Sequence, residues 1–232
     1  MNKSVAIGIT LLCVCTLPQL ALANTITANL GNTGTSLVSG TTYTGSTVLA
    51  QQTGAAPFNA SCGSDTGASG STNCSTNWTF TYASLAGDTI NSATISFGIY
   101  DIDSGAAGNQ VANFNLTSGD SFTAALNALA EALNSNAGSK NSEYDVFTLT
   151  IPSTSFATLL TGSAQFNLAL QAPGQGVLGT SPSNGGSLIF SSLSIDYTPG
   201  TPPPTVPEPS SLMLLLGGIT SIGYSLRGRF QR

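Results

Sequence analysis

Apolar and polar residues alternate with period two in five short runs of this chain. The run NWTFTYAS sets Trp78, Phe80 and Tyr82 on one face, and ATISFGIYDID does the same for Ile95, Phe97 and Ile99. EYDVFTLTIP groups Phe147, Leu149 and Ile151, AQFNLALQ groups Phe166, Leu168 and Leu170, and LSIDY groups Leu193, Ile195 and Tyr197. A strand turns successive side chains to opposite faces, so each run predicts a half-buried strand of an antiparallel sheet. One stretch departs from this pattern. SGDSFTAALNALAEALNSNAG spaces Phe122, Leu126, Leu129 and Leu133 at helical intervals, behind Asp120 or Ser121 as N-cap and ahead of Gly138. Such a stripe usually packs on a core, so it predicts one amphipathic helix laid over an edge or opening of the sheets. The expected fold is all-β: a single antiparallel β-sandwich, jelly-roll-like, spanning residues 24–198. About 175 residues suffice to bury a core of their own.

The two ends of the chain have a different texture. MNKSVAIGITLLCVCTLPQLALAN combines Lys3, an apolar stretch from Val5 to Leu17 and the small-x-small triplet Ala21-Leu22-Ala23. These are the parts of a secretory signal peptide, residues 1–23, with cleavage between Ala23 and Asn24. Cys13 and Cys15 follow bulky Leu12 and Val14, which argues against a lipoprotein, and both leave with the leader. Beyond Tyr197 the composition shifts to TPGTPPPTVPEP, where residues 199–205 form a Pro-rich linker. Dense proline favours an extended spacer of about 3.1 Å per residue. The apolar span 212–226 would reach roughly 22 Å as a helix, short of the ~30 Å hydrocarbon core, and it carries Gly217, Gly218 and Gly223. The basic end, 227–232, holds Arg227, Arg229 and Arg232, which the positive-inside rule retains in the cytoplasm.

In this order, Pro207-Glu208-Pro209, the serines after it, the Gly-rich apolar span and the arginines resemble the PEP-CTERM sorting signal, over residues 206–232. The resemblance implies processing by exosortase, a membrane cysteine protease-transpeptidase of bacteria that export polysaccharide. Pro207, Glu208 and Pro209 are then the recognition residues, and the arginines hold the tail for processing. It also implies export by the secretory pathway, transient anchoring in the inner membrane, and display on the cell surface or in the extracellular matrix. The globular part resembles domains found ahead of such tails, through SFGIYDIDSG and GGSLIFSSLSIDYTPG, a likeness that names no activity.

Charge and chemistry narrow the function further. Between Asn24 and Thr205 nine acids stand against Lys140 alone, so the mature surface repels phosphate backbones and nucleic acid is excluded as a partner. Cys62 and Cys74 bracket the loop CGSDTGASGSTNC; outside the cytoplasm the pair predicts a disulfide, worth roughly 3 kcal/mol in the loop-entropy model. The chain has no histidine, which removes Ser-His and Cys-His couples and leaves two cysteines short of a zinc set. Asp65-Thr66-Gly67 and Asp103-Ser104-Gly105 match the aspartic-protease triplet, but Asp65 follows Gly63 and Ser64 rather than an apolar strand. Asp101 and Asp103, with Asn109 nearby, offer the hard oxygens calcium prefers, but the spacing lacks the third acid and distal glutamate of a calcium loop, so a solvated carboxylate pair at a strand turn is the commoner reading. No cofactor is required. The leading expectation is therefore a non-enzymatic secreted surface or matrix protein that associates with exopolysaccharide or biofilm. The alternative is a carbohydrate-binding module stacking sugars on Trp78, Tyr82 or Tyr100. The third is a hydrolase built on carboxylates such as Glu131 and Glu143.

Overall fold

The computed structural model describes residues 22–63, 72–102, 108–134, 142–172, 183–200 and 219. Residues 1–21 of the expected leader, Asp65, Asp103, Gly138, Lys140 and the tail from 201 onward, Ile219 excepted, lie outside the described residues. In chain order the elements are β1 (Asn24–Gly31), β2 (Thr41–Thr42), α1 (Gly45–Leu49), β3 (Ser75–Thr81), β4 (Thr89–Tyr100) and β5 (Val111–Leu116). They continue with α2 (Thr123–Asn134), β6 (Glu143–Thr150), α3 (Phe156–Leu159), β7 (Ser163–Leu170) and β8 (Ser187–Thr198). The strands form two antiparallel sheets, one in the order β1-β8-β4-β6-β2 and one in the order β3-β7-β5. The chain is thus all-β with few helices.

Alternation decides which side of each strand is buried. Ile95, Phe97 and Ile99 of β4, Phe147 and Leu149 of β6, and Leu193 and Ile195 of β8 join one core with Trp78, Phe80, Phe114, Phe166 and Leu168 of the smaller sheet. Trp78 sits at its centre, 3% exposed, with ring centroids 6.0 to 6.2 Å from Phe58, Phe97, Phe114 and Phe166. Its indole N–H donates to Ser191 Oγ at 3.1 Å, so the ring is buried without losing a hydrogen bond. A smaller cluster of Leu37, Val48, Tyr100, Tyr144 and Ile189 forms where α1 and the chain before it pack on the larger sheet. There Gly98 is required, because a Cβ at that position would collide with the Tyr144 hydroxyl.

The pairings nest. The first strand closes on the last, β1 with β8; inside them lie β3 with β7 and then β4 with β6. The innermost partner of β5 is helix α2. Asn127 donates from Nδ2 to the Val111 carbonyl and accepts the Val111 N–H at Oδ1, both at 2.9 Å. Thr123 Oγ1 accepts the Phe114 N–H at 2.8 Å, and the Phe122 N–H reaches the Phe114 carbonyl at 2.7 Å. The helix therefore satisfies the β5 edge as a neighbouring strand would.

This geometry corrects two sequence expectations for the helix. Asp120 is not its N-cap, because its carboxylate takes hydroxyl donors from Thr154 and Ser155 instead; the nearer Ser121 Oγ receives the Thr123 N–H at 3.4 Å. The buried face is Phe122, Leu126, Asn127 and Ala130, while Leu129 is 38% exposed. Facing a sheet edge, the helix turns an amide toward the free backbone, so Phe122 and Leu126 of the expected stripe stay buried while Leu129 gives up its inward place to Asn127 and Ala130. The Leu133 side chain lies outside the described residues.

Candidate functional site

Three segments converge where β4 ends and β8 begins, and they line a pocket of about 210 Å³: Ser61 and Gly63, Tyr100 and Asp101, and Gly185 to Ser187. The first segment is pinned by the Cys62–Cys74 disulfide, in agreement with the sequence. Cys62 also exchanges two backbone hydrogen bonds with Gly186, at 2.7 and 2.8 Å, stitching the cysteine turn to the lead-in of β8. Gly63 holds φ at +71°, and a Cβ there would strike the Thr72 carbonyl and Cys74 N, so the loop leaves its bridge through a glycine-only corner.

Asn184 ties the same end together and had no sequence signal. It is fully buried, and its Nδ2 donates to the carbonyls of Ile102 at 2.7 Å and Gln171 at 3.1 Å and to Gln110 Oε1 at 2.9 Å. Its backbone N–H reaches Asn73 Oδ1 at 2.8 Å, and its carbonyl accepts the Cys74 N–H at 2.7 Å. A single amide thus fixes the ends of the loops that follow β4 and β7 to the cysteine turn.

Asp101 occupies this corner with φ at +61°, and its Oδ1 accepts the Ser142 N–H at 2.9 Å. The left-handed backbone suits an aspartate that binds locally. Asp103, its candidate partner for calcium, lies outside the described residues, and among the described residues no cluster of three metal-ligating side chains occurs. Glu131 is exposed on α2, whereas Glu143 is buried on β6. Glu143 shares the inward side of that strand with buried Asp145, whose Oδ1 accepts the Gly40 N–H at 3.2 Å, a neighbour that sequence reading did not single out.

The aromatic residues expected to stack on sugar rings are occupied elsewhere. Trp78 lies in the core; Tyr82 is half-buried with its hydroxyl donated to the Leu159 carbonyl, and burial pushes its pKa up to about 12. Tyr100 is 9% exposed and donates to the Tyr43 carbonyl. Trp78 and Tyr100 are too buried to offer a sugar an open ring face, which corrects the stacking expectation for those two, while Tyr82 stays half-exposed. Period-two alternation placed the rings on one face but could not say which face is buried.

What the sheets do turn outward is hydroxyl and amide. Strand register aligns Thr27, Ser194, Thr94 and Thr150 in one row across four strands, and Asn29, Ser192, Ser96 and Thr148 in the next. The smaller sheet presents Asn77, Asn167 and Asn115 in register, flanked by Gln165, which donates to Asn77 Oδ1 at 3.2 Å. Asp196 is the carboxylate in the larger face, and hydroxyls from Thr25 at 2.6 Å and Ser92 at 2.8 Å hold its pKa below the ordinary value.

At the junction expected from the sequence for leader cleavage, Leu22 is 78% exposed and Asn24 opens β1. Pro207, Glu208 and Pro209 lie outside the described residues, as does the apolar span apart from Ile219; among the described residues no helix is long and apolar enough to cross a membrane. Residues 205–229 match the family model of the PEP-CTERM protein-sorting motif, so the chain carries that motif where the sequence places it. No curated protein and no solved structure matches the chain.

Proposed function

Starting from a chain that carries a PEP-CTERM sorting motif, we propose that it is an exosortase substrate, exported, held briefly in the inner membrane by its tail, and released to the cell surface or matrix. The motif match at residues 205–229 carries this reading. In it, Ala23–Asn24 is the leader junction, residues 24–198 form the displayed domain, 199–205 the tether, and Pro207, Glu208 and Pro209 the recognition triplet. We read the nested pairs of that domain as a jelly-roll sandwich in which α2 stands in for one strand, a reading supported by the two strand orders. Deleting Pro207 to Pro209 is expected to leave the protein in the membrane fraction while the wild type reaches the medium without its arginine end. Mass spectrometry of the released C-terminus decides the matter: an intact Arg232 on extracellular protein overturns the proposal.

The displayed domain acts by presence and adhesion rather than by turnover, with exopolysaccharide as its partner. Rows of hydroxyls and amides support this, since they donate and accept hydrogen bonds as sugars do. Calcium held by Asp101 and Asp103 would strengthen the contact by bridging acidic partners. Pull-down with the host polysaccharide, with and without chelator, tests both parts; glycan cleavage by the purified protein overturns the non-enzymatic reading.

A further inference from the structure

The edges of the two sheets are treated unequally. The β2 edge is only two residues long, and the β5 edge is covered by α2 through Asn127 and Thr123. Strand β1, by contrast, is an eight-residue edge with the sequence NTITANLG, carrying no lysine, proline or other charge and no bulge in its register with β8. Those are the usual devices that keep an edge from pairing. Its backbone polarity follows from one bond: Asn32 N–H reaches the Ile189 carbonyl at 2.8 Å, so Ile26, Ala28 and Leu30 direct their amides at β8. Thr25, Thr27 and Asn29 therefore direct N–H and C=O away from the sheet.

Burial points the same way. The core-facing side chains of the other long edge, β3, are sealed: Trp78 is 3% and Phe80 1% exposed. Those of β1, Ile26, Ala28 and Leu30, reach the core yet remain half-exposed. Whatever completes this edge must be an extended, uncharged strand with small or aliphatic side chains alternating on one side. β1 itself meets each requirement.

We propose that β1 is a self-association edge, at which two copies of the chain pair β1 to β1 antiparallel about a two-fold axis. Pairing the outward backbone of Thr27 with that of the second copy's Asn29 sets Ile26 opposite the second copy's Leu30 and Ala28 opposite its own twin. This isologous register uses the outward groups of Thr27 and Asn29, closes the half-exposed aliphatic seam, and joins the two larger sheets into one. No side chain of β1 is charged, and in this register the two Asn24 ends lie far apart, so no like charges meet across the seam.

The test is the oligomeric state of the full chain in mild detergent, by light scattering across a concentration series. The wild type is expected to dimerise. Thr27→Pro removes an outward N–H that β8 does not use and is expected to yield monomer with an unchanged circular dichroism spectrum. Thr27→Lys, which leaves the backbone intact, is expected to do the same and serves if the proline variant does not fold. Ala28→Cys, made in a chain with Cys13 and Cys15 changed to serine, is expected to give a covalent dimer on a non-reducing gel, since Cys62 and Cys74 are already bridged. A wild type that stays monomeric at every concentration overturns the proposal, as does a dimer that survives Thr27→Lys or an Ala28→Cys chain that never cross-links. Dimers that form only with a different contact map, shown by cross-linking elsewhere, overturn it too.

Discussion

At the scale of single residues, two carboxylates of this domain, Asp120 and Asp196, are held by hydroxyls. Asp120 accepts from Ser155 Oγ and Thr154 Oγ1, both at 2.5 Å, and these bonds, Ser155 first, hold its pKa below the ordinary value of 3.8. Asp196 is lowered in the same way, by Thr25 and then Ser92. A carboxylate whose folded pKa is depressed contributes stability that is fully present above the ordinary value and is lost as pH falls through the folded one. Denaturation midpoints measured from about pH 5 down to about pH 2 are expected to decline, and the decline should be shallower in Asp120→Asn and Asp196→Asn. Both groups are open to solvent, so the effect is modest and is read as a slope across the titration. An acid limb identical in wild type and both variants would show that the hydroxyl bonds contribute nothing.

At the scale of elements, the Cys62–Cys74 bridge stitches a turn to the lead-in of β8, and β8 is the strand that β1 and β4 both pair with. Cys62→Ser, or reduction, is expected to lower stability by about 2 to 4 kcal/mol, measured by urea denaturation; unchanged midpoints in both would mean that the loop closure is idle. The five runs with clean alternation all contribute to strands, because a half-buried strand prints its period directly on the sequence. β5 was not legible: its bulge between Val111 and Asn113 interrupts the period, and VANFNL keeps few large residues. β1 was missed because Ala28 sits in the middle of its apolar side, leaving only Ile26 and Leu30 as a signal. The helix was legible as a helix but not in its facing, since Asn127 is buried for the sake of backbone groups on another element. Asn184 was invisible for the same reason: its partners lie on three distant segments. The sorting triplet, being a local signal, was readable where it stands.

At the scale of the whole chain, the first strand closes on the last. Asn24 lies opposite Tyr197, and Thr25 Oγ1 reaches Asp196 at 2.6 Å. Every nested strand pair joins distant parts of the sequence, so the domain completes its fold only after β8 is available. The proposed leader junction lies next to the start of β1 at Asn24, and a protease needs that peptide extended and free. Leader removal is therefore expected to precede closure: purified precursor should be cut readily by leader peptidase when unfolded in urea and diluted into enzyme, and far more slowly when folded. Equal rates would show that the β1 end frays freely. The sorting triplet has no such conflict, because eight residues separate Thr198 from Pro207. The same closure bears on how the protein would carry load in the proposed state in which its tail holds it. A pull on the tail enters at Thr198 and runs along β8, which is hydrogen-bonded on both sides through most of its twelve residues. Tension along such a strand shears its rungs together instead of unzipping them one by one, so the domain hangs from the strand best placed to resist being torn out.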